Sequence, residues 1–217
     1  LAAFAEETLA PEELYTRLRD EMLTLLLAGH ETTANALTFT WWLLARHAEV
    51  ADRFYREIDA VCGGQLPTLA DVEKLSYTRM VFSEALRLYP PAWAIGRQAL
   101  TAVDLGGYPV PAGATILLSQ WVMHRNSCYY PNPLQFEPDR WLPVVAAKRP
   151  KYAFFPFGGG SRLCIGEQFA WLEGILLLAT IGQQWRFVAD RVTAQLTLEP
   201  GITLRPKKPV MLMAVKR

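Results

Sequence analysis

No proline interrupts the chain between Pro11 and Pro67, and most of that interval reads as one long helix, from about Pro11 to Arg46. Proline suits a first helical turn, where its missing N–H has no intrahelical partner to lose. The run from Met22 to Ala28 is apolar except for Thr24, and Ala34, Ala36, Leu37, Phe39, Trp41, Trp42, Leu43 and Leu44 follow further on. A helix apolar over most of its surface belongs in the interior, so the sequence predicts a central, buried element. The patch in its middle, Ala28-Gly29-His30-Glu31-Thr32-Thr33, fits that setting badly. Glycine inside a helix costs about 1 kcal/mol relative to alanine, and an unpaired buried carboxylate costs more. Either the patch is solvated and the helix kinks there, or Gly29 and Glu31 serve chemistry.

A second segment bears on the chemistry. In Phe157-Gly158-Gly159-Gly160-Ser161-Arg162-Leu163-Cys164-Ile165-Gly166, one cysteine is framed by an aromatic ring, a glycine turn, a cation two residues before it and a glycine two residues after it. A lone cysteine in an apolar context is by default a structural thiol. Here the glycines let a flat ligand lie close to backbone, Arg162 offers a cation to a carboxylate, and a helix begins after Cys164, its first amide N–H groups aimed at the sulfur. A thiolate so placed can bind haem iron. The segment resembles the Phe-x-x-Gly-x-Arg-x-Cys-x-Gly haem signature of the cytochrome P450 monooxygenases, with every fixed position filled.

That resemblance assigns further residues. Cys164 would be the axial ligand of haem b, with Phe157 packed against it and Gly158 and Gly166 shaping the cradle. Ala28 and Gly29 would lie over the opposite haem face, where the glycine leaves room for dioxygen, and Glu31 with Thr32 would form the acid–alcohol pair that relays protons to the outer oxygen. Arg97, His124 and Arg162 match positions that hold the haem propionates. Ala28, Ala92, Ala94, Ile95 and Ile202 match positions that touch substrate, and their apolar character favours a fatty acyl, terpenoid or steroid-like molecule. Glu84 and Arg87, on a helix from about Ser76 to Tyr89 with Ser76 as its N-cap, together with Arg140 in Phe136-Glu137-Pro138-Asp139-Arg140-Trp141, resemble the family's buried Glu-Arg-Arg cluster. Its role is structural.

Elsewhere the chain predicts an amphipathic helix over His47–Val61 ended by Gly63-Gly64, a capped short helix after Thr68, strands between Ala99 and Ser119, a helix from Cys164 to about Gln183, and two or three strands from Val192 to Val215. The fold class is mainly α with small antiparallel β-sheets. The resemblance covers almost all of residues 1–217 as the haem-binding portion of one P450 domain, and it corresponds to the C-terminal half of a family member, the N-terminal half having no counterpart here. With 22 basic and 21 acidic residues the formal net charge is +1, so composition gives no reason to expect nucleic acid as a partner. Cys62, Cys128 and Cys164 are too few and scattered for a disulfide framework, and the first residues lack the pattern of a signal peptide, which favours a cytoplasmic setting with membrane association left open.

The function expected by resemblance is a monooxygenase that inserts one atom of dioxygen into an apolar substrate. Its electrons would come ultimately from NAD(P)H through a ferredoxin, flavodoxin or flavoprotein reductase docked on the cysteine side. A peroxide-driven peroxygenase, a haem isomerase and a non-catalytic haem sensor are the alternatives on the same scaffold.

Overall fold

In the computed structural model, residues 10–189 and 196–217 are described. Helix α1 runs over Pro11–Arg46, α2 over Ala48–Cys62, α3 over Leu69–Val72, α4 over Ser76–Leu88, α5 over Gln120–Met123, α6 over Pro143–Ala146 and α7 over Glu167–Gln184. Strands β1 (Ile95–Gln98) and β4 (Thr115–Leu118) pair antiparallel, as do β2 (Val103–Leu105) with β3 (Tyr108–Val110), β5 (Trp185–Ala189) with β8 (Leu212–Lys216), and β6 (Leu198–Pro200) with β7 (Leu204–Pro206). The architecture is mainly helical with small antiparallel ladders. Part of the predicted strand region after Val192 lies outside the described residues. No helix among the described residues is long and apolar enough to cross a membrane.

Helix α1 forms without a break over 36 residues, roughly 54 Å at 1.5 Å per residue. Its burial departs from expectation. The buried residues fall between Thr33 and Leu44, whereas Tyr15, Met22, Leu25, Leu26 and Leu27 are 61–71% exposed. Amphipathic pattern states which faces need cover and not what covers them, and among the described residues the packing partners of α1 bury only its C-terminal half. The glycine patch does not break the helix: α1 stays continuous through Gly29.

The core forms where α1, α2, α4 and α7 meet. Trp41, Trp42, Phe54, Ile58, Val81, Phe82, Ile175 and Leu178 are buried there together. Two glycines of α7 set how closely the helices approach. A Cβ at Gly174 would stand 2.6 Å from the ring of Phe82, and one at Gly182 would stand 2.8 Å from Ile58 Cδ1. The start of α4 corrects the sequence reading, because Ser76 lies inside the helix and Leu75 occupies the N-cap without a side-chain bond. The cap comes from α2 instead. The Glu57 carboxylate accepts from the backbone N–H of Tyr77 at 2.6 Å and of Thr78 at 2.7 Å, satisfying helix-end donors with a charge of the favoured sign.

Glu84 and Arg87 are fully buried on α4 and bound side to side, with Arg87 Nε and Nη2 donating to the two carboxylate oxygens at 2.8 and 2.7 Å. Glu84 also accepts from the Glu137 N–H at 3.1 Å and from Trp141 Nε1 at 3.0 Å. Arg140 Nε lies 3.3 Å from the same carboxylate, an ion contact without hydrogen-bond geometry. The remaining guanidinium donors of Arg87 go to the carbonyls of His124, Pro133 and Gln135 at 2.7–3.0 Å. All five N–H groups of this cation are thus used.

His124 follows α5 and is 0% exposed, with its ring between those of Phe154 and Phe155. Its Nε2 accepts from the Phe155 N–H at 3.0 Å, so the neutral ring carries its proton on Nδ1. Burial, reinforced by the Arg87 and Arg125 guanidiniums, pushes its pKa down to about 3.

Two outcomes follow from these buried groups. Glu84→Ala or Arg87→Ala leaves a buried charge uncompensated, at a cost of about 3–5 kcal/mol, and each variant should show a correspondingly lower urea midpoint. For His124, the folded state resists a proton that the unfolded chain accepts near pH 6.5. Its contribution is therefore complete above that pH and is lost as pH falls towards 3, with roughly 2 kcal/mol gone between pH 7.5 and pH 5. Urea titrations at the two pH values should show that loss, and His124→Gln, which keeps an acceptor for Phe155 but cannot titrate, should reduce it.

Candidate haem-thiolate site

The cysteine segment is a turn closed by its own backbone. The Gly158 N–H donates to Phe155 O at 3.0 Å, the Leu163 N–H to Gly160 O at 3.1 Å, and the Cys164 N–H to Phe157 O at 3.0 Å. Gly158 and Gly160 take φ of +77° and +71°, a region in which a side chain is strained, and this explains two of the glycines. Gly159 has a different reason: a Cβ there would stand 2.8 Å from the ring of Tyr152. Phe157 rests against Trp171 of α7, ring centroids 5.7 Å apart, which anchors the turn to the helical core.

The turn presents Cys164 exposed and free. A Cβ at Gly166, the N-cap of α7, would approach Sγ to 3.8 Å. The expected amide–sulfur bonds are not made: among the described residues no N–H reaches Sγ in hydrogen-bonding geometry, and the first bond at this helix start is from Glu167 N–H to Cys164 O at 3.4 Å.

Arg97 and Arg162 are both exposed, and neither has a carboxylate partner among the described residues. Arg97 lies on β1, which also carries Ile95, and a Cβ added at Gly158 would stand 3.7 Å from Ile95 Cδ1, so β1 passes beside the cysteine turn. An unpartnered thiol with unpaired guanidiniums on the turn and on the adjoining strand fits an iron porphyrin, whose metal takes the sulfur and whose two carboxylates take the cations. His124, assigned by resemblance to a propionate, is not brought here. Its ring is enclosed behind the Glu84–Arg87 cluster and its Nε2 is taken by Phe155.

On α1, Ala28, Gly29 and Glu31 are exposed and Thr32 is half-buried. A Cβ at Gly29 would meet nothing within 4 Å, so no packing in the described chain demands glycine there. The Thr32 Oγ1 donates to the Ala28 carbonyl at 2.8 Å. Glu31 and Thr32 are adjacent in sequence and therefore point about 100° apart around the helix, so a proton passing between them needs a bridging water.

A contact absent from the sequence reading completes the site. Thr203, in the turn between β6 and β7, donates Oγ1 to Glu31 Oε1 at 2.6 Å. The same turn is held from its other side by Trp93 Nε1 donating to Gly201 O at 3.0 Å and by the Leu204 N–H donating to Pro91 O at 2.8 Å. Ala92, Ala94 and Ile95 are half-buried beside these anchors, while Ile202 at the tip of the turn is fully exposed. The β6–β7 turn is thus tied both to the segment ahead of β1, through Trp93 and Pro91, and to Glu31 on α1. The side chains of Thr203 and Trp93 carry no motif, and a bond across 172 residues leaves no local signal.

Comparison with known proteins agrees with this geometry. The family profile described as Cytochrome P450 matches residues 7–213. Cyclooctatin synthase of Streptomyces melanosporofaciens is 42% identical over 207 residues, covering 95% of this chain and 42% of its own length. Pentalenene oxygenase of Streptomyces avermitilis is 42% identical over 191 residues, covering 88% of this chain and 40% of its own. A crystal structure of a cytochrome P450 matches with a TM-score of 0.83 at 33% identity, over 90% of this chain and 44% of that one. The chain spans less than half the length of these relatives. Because the match runs through the long helix, the buried ion cluster and the cysteine turn alike, the chain belongs to the cytochrome P450 family.

Proposed function

We propose that this chain forms the thiolate-bearing and oxygen-activating part of a monooxygenase that inserts one atom of dioxygen into an apolar organic substrate. The observation that carries the reading is the exposed, unpartnered Cys164 thiol on a turn fixed by positive-φ glycines and accompanied by unpaired arginines. Haem b bound there would supply the redox centre at which dioxygen is reduced. Cys164 holds it through sulfur, Arg162 and Arg97 bind its carboxylates, and Phe157 shields the sulfur side.

The chain's own task is to bring protons inward. Glu31, exposed and fixed at one oxygen by Thr203, takes protons from solvent. Thr32, half-buried and one residue further on, holds the water that passes them on. Ala28, Ala92, Ala94, Ile95 and Ile202 offer apolar contacts to substrate and no polar side chain, so a substrate hydrocarbon is held by burial. The relatives named pentalenene oxygenase and cyclooctat-9-en-7-ol 5-monooxygenase support a terpenoid-like substrate over a fatty acyl or steroid-like one. Electrons come from NAD(P)H through a ferredoxin, flavodoxin or flavoprotein reductase docked on the cysteine side of the fold.

Two experiments on the full-length, haem-loaded protein test the assignment. The reduced carbon-monoxide complex should show the strongly red-shifted Soret band of thiolate ligation, and Cys164→His should abolish it. A wild-type band like that of an imidazole-ligated haem would remove Cys164 from its role. Thr32→Ala should retain haem and substrate binding, since alanine favours the helix, yet lower the ratio of product to NAD(P)H oxidised by roughly tenfold or more, with peroxide released in its place. Wild-type coupling in Thr32→Ala would show that the proton path bypasses this hydroxyl.

A further inference from the structure

The bond between Thr203 and Glu31 has no account in stability. Glu31 is exposed and Thr203 half-buried, and a hydrogen bond open to water contributes little to folding. It is nevertheless short, 2.6 Å, and joins a helix to a turn 172 residues away. The turn it reaches is fastened at two points to the segment that carries proposed substrate contacts. Trp93 Nε1 holds Gly201 O, Pro91 O holds the Leu204 N–H, and the Gly201 N–H donates to Thr203 O at 3.1 Å, closing the turn on itself. Ile202, one peptide bond from Thr203, projects fully exposed from its tip.

The consequence for Glu31 is geometric. A glutamate on an exposed helix face has several rotamers of similar energy, and holding it in one of them costs side-chain entropy. Thr203 takes Oε1, and Oε2 has no partner among the described residues. One oxygen is thus an anchor and the other is left for water.

We propose that Thr203 is the positioning residue of the proton-delivering acid: its hydroxyl holds the Glu31 carboxylate in one orientation and ties it to the substrate-contacting turn at Ile202. Substrate that presses on Ile202 then acts on the acid through one residue, so proton delivery depends on whether the apolar pocket is filled. This inference rests on the reading of Glu31 as the acid.

The test uses Thr203→Val, Thr203→Ser and Glu31→Gln in the full-length haem-loaded enzyme, with Glu31→Ala added for hydrogen exchange. In Thr203→Val the ratio of product to NAD(P)H oxidised should fall roughly three- to tenfold, a fraction of the 10²–10⁴ that a positioned acid or base contributes. Haem content and substrate Kd should stay within about twofold, and Thr203→Ser, which keeps the hydroxyl, should restore coupling. The double variant Thr203→Val/Glu31→Gln should be no worse than Glu31→Gln alone, because both remove one function. Independently of turnover, amide hydrogen exchange at Ile202–Leu204 should quicken in both Thr203→Val and Glu31→Ala. Unchanged exchange in both variants would overturn the tie. Unchanged coupling in Thr203→Val, with Glu31→Gln impaired, would overturn the positioning role while leaving Glu31 as the acid. Wild-type coupling in Glu31→Gln alone would overturn the acid reading itself and this proposal with it.

Discussion

The buried pair of Glu84 and Arg87 is the interaction on which the remainder of this structure depends. Taking two charges out of water is costly, and the cost is met only when nearly every polar atom finds a partner. Here the carboxylate accepts four hydrogen bonds and the guanidinium uses all five of its donors. Most of those partners are backbone groups of one irregular stretch, from His124 to Trp141, which has few regular ladders to satisfy its own carbonyls. The ion pair replaces secondary structure for that stretch. Immediately after it comes the path to Phe155, whose N–H is held by His124, and then the cysteine turn. The fixed shape of the thiol-bearing loop thus begins at a charge pair on α4.

Much of this was legible in the residues, for reasons that differ by element. The bounds of α1 could be read because proline marks its first turn and no breaker follows, and the end of α2 because Gly63 adopts the left-handed conformation that the sequence predicts there. Two of the glycines of the cysteine segment are explained by positive φ, a property of the residue type. Local chemistry of this kind is written into adjacent positions.

What escaped the sequence depends on distance along the chain. Ser76 has the identity of a helix cap, yet the cap is Glu57, since a carboxylate from a packed neighbour outcompetes a hydroxyl at the end itself. His124 has the identity of an anion ligand, yet it sits in an aromatic cage whose walls are some thirty residues away. The exposed half of α1 shows the same limit from the other side. Apolar spacing declares a demand for burial, and only the assembled neighbours decide where it is met.

The hydrogen of Thr32 has a consequence of its own. A hydroxyl carries a single hydrogen, and in this structure it points back along the helix to the Ala28 carbonyl. As long as that bond stands, Thr32 can only receive from a water beside it. To donate, in the proposed reaction, it must turn away from its own helix, and the two orientations differ by no more than the exchange of one hydrogen bond for another, about 1 kcal/mol. The residue is therefore a two-position rotor with nearly balanced stops, and whatever ligand arrives at the site chooses its setting.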